Sequence, residues 1–184
     1  VCADRASIDQ AGKRGAFARG LKQEVSVPAD LSRRVEAGLA KRCLEGLGLA
    51  LRAGVLAIGA TQVEAALKTR PALLLVEASD GAEDGREKFM ALHLGLWGRP
   101  PPTLGCFTAA ELGVALGRER VIHACLLQER LAMGLAADIS RLSGFRAIVP
   151  SSWPDSWRSV SWGPRLGGQD DAVDGGIQKP RRPA

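Results

Sequence analysis

Apolar and polar residues follow one another along this chain with two different periods, and each change of period marks an element. Within residues 44–147, short apolar runs alternate with stretches of helical spacing. The run over residues 72–77, Ala-Leu-Leu-Leu-Val-Glu, predicts a strand buried on both faces. Residues 55–58, 103–107 and 121–126 predict three further strands. The spacing between them predicts helices over 62–68, 82–96 and 109–116, and a closing helix over 128–142 that Gly144 ends. Gly59-Ala60-Thr61 reads as the turn that caps the first of these helices. Thr108 is placed to cap the third, with Glu111 at the capping-box position. The order β-α-β-α-β-α-β-α predicts a small three-layer α/β/α sandwich.

The two flanks read differently. At the front, Asp4 or Ser7 can start a short helix toward Gly12, and Val25-Ser26-Val27 is a short extended piece. Asp30 suits the N-cap of a long helix. On that helix Leu31, Val35, Leu39, Cys43 and Leu47 form one apolar face, and Gly54 ends it. Residues 148–184 are rich in Gly, Pro, Ser, Asp and Arg and read as a disordered tail. Trp153, Trp157 and Trp162 are then incidental to it, with base stacking or partner binding as the less common outcome.

Composition narrows the class. The chain has 184 residues, room for one ordinary domain or one small domain plus a partial one. Hydrophobic residues make up 46%, which excludes a disordered chain or a collagen. Lys and Arg number 25 against 20 Asp and Glu, for a net charge of +5, and there is no Tyr and no Asn. Divided along the chain, residues 1–54 carry 10 basic and 6 acidic groups, residues 55–147 carry 10 of each, and the rest carry 5 and 4. The positive excess therefore sits at the front, which favours an anionic partner such as RNA.

Candidate chemistry is sparse. Cys2, Cys43, Cys106 and Cys125 are too dispersed for a zinc site, and only two histidines, His93 and His123, exist. Both histidines read as structural. No GxxxxGK[ST] or GxSxG string occurs, and Gly46-Leu47-Gly48 lies inside a helix, away from the strand-to-helix turn of a dinucleotide site. Glu83, Asp84 and Glu87 with Arg86 and Lys88 read as a solvated helix start. No catalytic constellation, metal or cofactor is expected. No apolar segment approaches the about 18 residues of a membrane span, and with no signal peptide pattern the expectation is a reduced, cytoplasmic protein.

Two stretches carry a resemblance. Leu47-Gly48-Leu49-Ala50-Leu51-Arg52-Ala53-Gly54 leads to Gly59-Ala60-Thr61-Gln62-Val63-Glu64-Ala65-Ala66-Leu67, and the second stretch runs from Phe107 through Glu111-Leu112-Gly113 to Gly117-Arg118-Glu119. Over residues 44–147 the chain resembles the L-seven-Ae, kink-turn RNA-binding ribosomal protein superfamily, including its small bacterial relative YlxQ. Residues 1–43, through Lys13-Arg14-Gly15-Ala16-Phe17-Ala18-Arg19-Gly20-Leu21-Lys22 and Val27-Pro28-Ala29-Asp30-Leu31, resemble the second half of a YlxR domain, an α+β segment. Proteins joining the two occur in alphaproteobacteria. The YlxR glycine-arginine-glycine strand would lie just before Val1, so the chain is expected to begin inside that domain.

The resemblance implies a three-layer sandwich around a four-stranded mixed sheet, with RNA held at one end by a glycine turn that opens a helix. The matching positions are Gly59, Ala60, Thr61 and Gln62; Thr61 stands where the family has Asn, Gln62 where it has Glu, and Ala65 where it has Lys. Generic phosphate contact at the helix N-terminus survives these changes, whereas base recognition is weakened. Arg118 and Arg120 fall on the second RNA-facing loop, and Arg52, Lys68 and Arg70 are expected near the same end. In the YlxR part, Lys13, Arg14, Arg19 and Lys22 are the expected phosphate contacts. The function expected is that of a non-enzymatic protein that binds structured ribosomal or other non-coding RNA in translation or RNA processing. The alternative is a protein-interaction module that docks on a ribosomal, transcription or translation factor, which the departures at Thr61, Gln62 and Ala65 favour.

Overall fold

The computed structural model describes residues 3–158. Four strands, β1 (Leu56–Ile58), β2 (Leu74–Glu77), β3 (Thr103–Leu104) and β4 (His123–Leu126), form one mixed sheet in the order β1-β4-β2-β3. β4 runs antiparallel to both neighbours, with Ile58 opposite Ala124 and Glu77 opposite His123, while β2 and β3 are parallel. β1, β2 and β3 therefore all finish at one end of the sheet, where β4 begins. That end is called the rim below.

Side chains alternate across a strand, and here both sets are buried. Leu74, Val76, Ala124 and Leu126 face one layer; Leu75 and Cys125 face the other. The first layer is made by α3 (Leu31–Arg52), α6 (Ala109–Ala115) and α7 (Glu129–Leu142), which contribute Cys43, Leu47, Leu112, Leu135 and Ile139. The second is made by α4 (Ala60–Thr69) and α5 (Glu83–Trp97), which contribute Val63, Leu67, Phe89 and Met90. This is an α/β fold with a four-stranded mixed sheet between two helical layers. No helix among the described residues is long and apolar enough to cross a membrane.

The front segment rides on the first layer. α1 (Arg5–Lys13) is capped by Asp4, whose carboxylate accepts from the Ser7 amide at 2.8 Å. Arg5 is tied to Glu36 of α3, and Glu36 also accepts from Arg146 at 2.8 Å. The Arg5 amide donates to Gly144 at the end of α7. A left-handed Gly15 then turns the chain into the short α2 (Ala16–Leu21). α3 runs unbroken through residues 43 and 44, where the two resembling segments meet.

Several elements differ from the sequence expectation. The packed structure does not stop at residue 147. Ile148 and Val149 are buried, and so are Trp153 and Trp157, at 5% and 7% exposure. Their rings meet edge to face at 5.7 Å, and both lie against Val63, Leu67 and Phe89 in the second layer. A short helix, α8 (Asp155–Arg158), carries Trp157. The apolar area of two indoles outweighs the turn-forming composition around them, so these two rings are core and are closed to base stacking; Trp162 lies outside the described residues. β3 spans only two residues, because after Leu104 the Gly105 amide pairs with Ile148 instead of a strand partner. Asp30 sits at the N-cap of α3 without capping it, since its carboxylate accepts from Arg34 at 2.9 Å.

Candidate nucleic-acid interface

The rim is assembled from three turns. The first is Gly59, which ends β1 and precedes α4. Its amide donates to the His123 carbonyl at 2.9 Å and its φ of 85° lies in the region that glycine alone adopts freely. α4 starts at Ala60, two residues earlier than the spacing suggested, and no side chain caps it. Ala60, Thr61 and Gln62 are exposed there. First-turn amides without a helical partner face an anion favourably. Gln62 folds back: its Oε1 accepts from the Ile58 amide at a long 3.4 Å, which closes the turn.

The second turn follows β2. Asp80 reaches across the rim, its Oδ1 accepting from the Ala109 amide at 2.7 Å and its Oδ2 lying 3.5 Å from Arg120. Thr108 and Glu111 form the reciprocal capping box that the sequence predicts at the start of α6. The third turn carries Arg118, Glu119 and Arg120 between α6 and β4. It closes so tightly on α6 that a Cβ at Gly113 would come within 2.5 Å of the Glu119 carbonyl, which explains the glycine in Glu111-Leu112-Gly113.

Gly59, Ala60, Thr61, Gln62, Arg118 and Arg120 thus share the rim. Arg52, Lys68 and Arg70 sit further off, although Arg52 lines one cavity with Glu111 and Arg70 another with Gln62. α4 leads away from the rim for ten residues, about 15 Å, and carries Lys68 to the far end. Arg52 and Arg70 precede β1 and β2, so they lie where those strands start. Lys68 is also engaged: Glu64 holds it at 2.8 Å and Lys88 at 2.6 Å, and these two hydrogen bonds pull the Glu64 carboxyl down to about 2. Arg120 is shared with Asp80, and the rim bears exposed Glu83, Asp84, Glu111 and Glu119 besides. Its field is therefore mixed, with Arg118 its one cation that no carboxylate holds among the described residues.

The front segment contrasts with it. Lys13 ends α1, Arg14 caps it, and Arg19 and Lys22 flank the end of α2. All four are exposed, and none has a carboxylate partner among the described residues. Arg19 donates to the Arg14 carbonyl at 3.0 Å, which fixes its guanidinium across the turn. Lys13 and Arg14 also sit at the negative end of the α1 dipole, where a cation is favoured.

Sequence reading missed one polar cluster behind the rim. Glu77 is 1% exposed and its Oε2 lies 2.5 Å from His123 Nδ1 across the β2–β4 register. Burial raises the Glu77 pKa, opposed by the hydrogen bond and charge of His123 and by the charge of Arg86. Arg86 is buried rather than solvated; it donates to the Gly81 carbonyl and stacks 4.4 Å above the Trp153 ring. The signal was the pairing of Glu77 and His123 at the ends of two apolar runs. His93 is structural as expected: Nε2 accepts from the Ala72 amide at 3.0 Å, and Nδ1 lies 2.8 Å from the Arg99 carbonyl. Burial raises the thiol pKa values of Cys43, Cys106 and Cys125 to about 12, which favours the protonated thiol at neutral pH.

No family model matches the chain, and no curated protein matches it. Among solved structures, a protein with unknown function from Bacillus halodurans C is 27% identical and superposes with a TM-score of 0.47. That match covers 54% of this chain and 97% of the other.

Proposed function

We propose that the protein is a non-enzymatic RNA-binding protein of L-seven-Ae-like architecture with a YlxR-like front segment, acting on structured RNA in translation or RNA processing in the cytoplasm. The observation that carries this reading is the set of four exposed, carboxylate-free cations at Lys13, Arg14, Arg19 and Lys22. Elsewhere many basic groups already have an acid, and the exposed ones that have none among the described residues, Arg33, Arg52, Arg70, Arg99, Arg118 and Arg130, are scattered along the chain. Arg5 and Arg146 share Glu36, Arg42 and Arg141 share Asp138, and Lys68 and Lys88 share Glu64. Cations left unpaired on an ordered surface are free to displace counterions from phosphates. The uncapped start of α4 and Arg118 supply a second, weaker contact at the rim. A filter-binding titration with a structured RNA tests this: affinity falls as salt rises, and affinity that is indifferent to salt overturns the mechanism.

The second reading, a module that docks on a ribosomal, transcription or translation factor, draws on the rim. There the acids outnumber the free cations, and Ile122 is exposed beside them at 38%. Arg118→Glu with Arg120→Glu separates the two. Loss of partner-protein capture with RNA binding intact supports docking at the rim.

A further inference from the structure

We propose that the open edge of the sheet, at β1, docks an extended segment of a partner protein, which adds its main chain beside β1 and sets a carboxylate against Arg70. This goes beyond the RNA-binding reading and does not rest on it.

The fold treats its two sheet edges differently. At the β3 edge it supplies its own neighbour: the Gly105 amide donates to the Ile148 carbonyl at 2.9 Å, and Val149, Trp153 and Trp157 pack on beyond it. β1, at the opposite edge, has β4 on one side and no strand on the other among the described residues. The Gly59 amide sets the phase of that pairing, because it donates to the His123 carbonyl at 2.9 Å. In an antiparallel pair, alternate residues turn both N–H and C=O to the partner strand. Ala57 therefore faces β4 as Gly59 does, and Leu56 and Ile58 turn their main-chain groups outward. Gln62 agrees with this phase. Its Oε1 lies 3.4 Å from the Ile58 amide, standing where the carbonyl of an added strand would lie. An acceptor at that length is weakly held and readily displaced.

Outward donors and acceptors at strand spacing select a polypeptide main chain. The phosphates of a nucleic acid supply acceptors, but they leave the Leu56 and Ile58 carbonyls unmatched. An extended peptide supplies both partners, as when a strand is added to a sheet edge. The side chains beside the edge narrow the partner further. A cleft of about 520 Å³ lies along β1, with Val55, Ala57 and Leu127 as apolar lining and Gln62, Gln128 and Arg70 as polar lining. Arg70 follows α4 in extended backbone, is exposed, and has no carboxylate partner among the described residues. The one charge in the cleft is thus a guanidinium, whose fork matches a carboxylate. Side chains on one face of a strand recur every second residue. The segment that fits therefore carries an apolar residue and an Asp or Glu two positions apart. A second copy of this chain is a poorer occupant, because pairing β1 with β1 brings two Arg70 side chains to one interface whose cleft residues include no acid.

The test uses the full chain, isotopically labelled for NMR, and the acetylated peptide Ser-Thr-Val-Thr-Glu-Thr-Ser, added to about 1 mM, the weak end of specific recognition. At saturation the Leu56 and Ile58 amides are expected to exchange at least about tenfold more slowly than in the free protein, while the Ala57 amide, already in the ladder, changes little. N-methylation of alternate peptide amides is expected to cost at least about tenfold in affinity, because it removes main-chain hydrogen bonds. Glutamine in place of the peptide glutamate is expected to cost about threefold, Arg70→Gln about the same, and the two together no more than either alone. No response at the highest peptide concentration overturns the proposal, as does an N-methylated peptide that binds as tightly as the parent. Protection at residues 78–81 or in α1–α2 in place of β1 overturns the location. Leu56 and Ile58 protected in a dimer without peptide would assign the edge to a second copy and equally overturn the proposal.

Discussion

The α1–α2 segment and the sandwich treat their charged residues in opposite ways. In the sandwich, many cations are consumed: Glu64 takes two lysines, Asp138 takes two arginines, Asp80 takes Arg120, and Arg86 is folded under Trp153, while Arg52, Arg70, Arg99, Arg118 and Arg130 stay exposed, dispersed and without a carboxylate partner among the described residues. In α1–α2, a stretch of ten residues carries four cations and no acid, and the fold neutralises none of them. The first arrangement ties elements together; the second leaves charge available to a partner. Residue type alone does not separate the two, since both regions use arginine. What separates them is whether a carboxylate lies within reach.

The largest expected effect tests the packing side of this contrast. Trp153→Ala removes an indole that joins the second layer and Arg86, and is expected to cost about 3–5 kcal/mol of stability. Thermal unfolding measures it, and a change under about 1 kcal/mol would mean that residues 148–158 do not belong to the core. Next is the charge side. Reversing Lys13, Arg14, Arg19 and Lys22 to Glu is expected to reduce affinity for structured RNA about 100-fold at low salt, while leaving the melting temperature nearly unchanged. Arg118→Glu with Arg120→Glu is expected to cost less than about tenfold, because Asp80 already engages one of the pair. If the rim variant loses more than the front variant, the ranking of the two surfaces is reversed.

The smallest effect concerns pH. Burial holds the His93 pKa below its ordinary 6.5, so the unfolded chain binds the proton more readily than the folded one. Its contribution to stability is full above pH 6.5 and is lost as pH falls toward the folded value. Glu77 works the other way: its raised pKa makes its contribution greatest below 4.5 and lost as pH rises. Melting curves of wild type and His93→Gln between pH 7.5 and 5.5 isolate the histidine. The wild type is expected to lose more stability on acidification, and parallel curves would exclude His93 as a source of the pH dependence.

The sandwich was legible in the sequence because its signals are local. The 72–77 run, the Thr108–Glu111 box and the period change at Gly59 each point to one structure, and each is found. The tail was not, because two tryptophans near the start of a low-periodicity stretch give no period to read; only the apolar gap beside Val63, Leu67 and Phe89 shows where they go. The candidate site divided in the same way. Neighbours in sequence, Lys13 to Lys22 and Gly59 to Gln62, stay together. How far Arg52, Lys68 and Arg70 lie from the rim was not legible, because strand direction decides that, and direction is set by the pairing of β1 and β2 with β4. Glu77 and His123 meet through the same pairing, 46 residues apart.

The central claim is that the front segment, rather than the rim, holds RNA. Its most direct test is the affinity of wild type, the Lys13/Arg14/Arg19/Lys22 reversal and the Arg118/Arg120 reversal for one hairpin RNA, measured from 50 to 200 mM salt. Wild type and the rim variant are expected to weaken together, by about 100-fold over that range for four phosphate contacts, while the front variant binds weakly throughout with a nearly flat response. A front variant that keeps the wild-type affinity and salt slope would contradict the account.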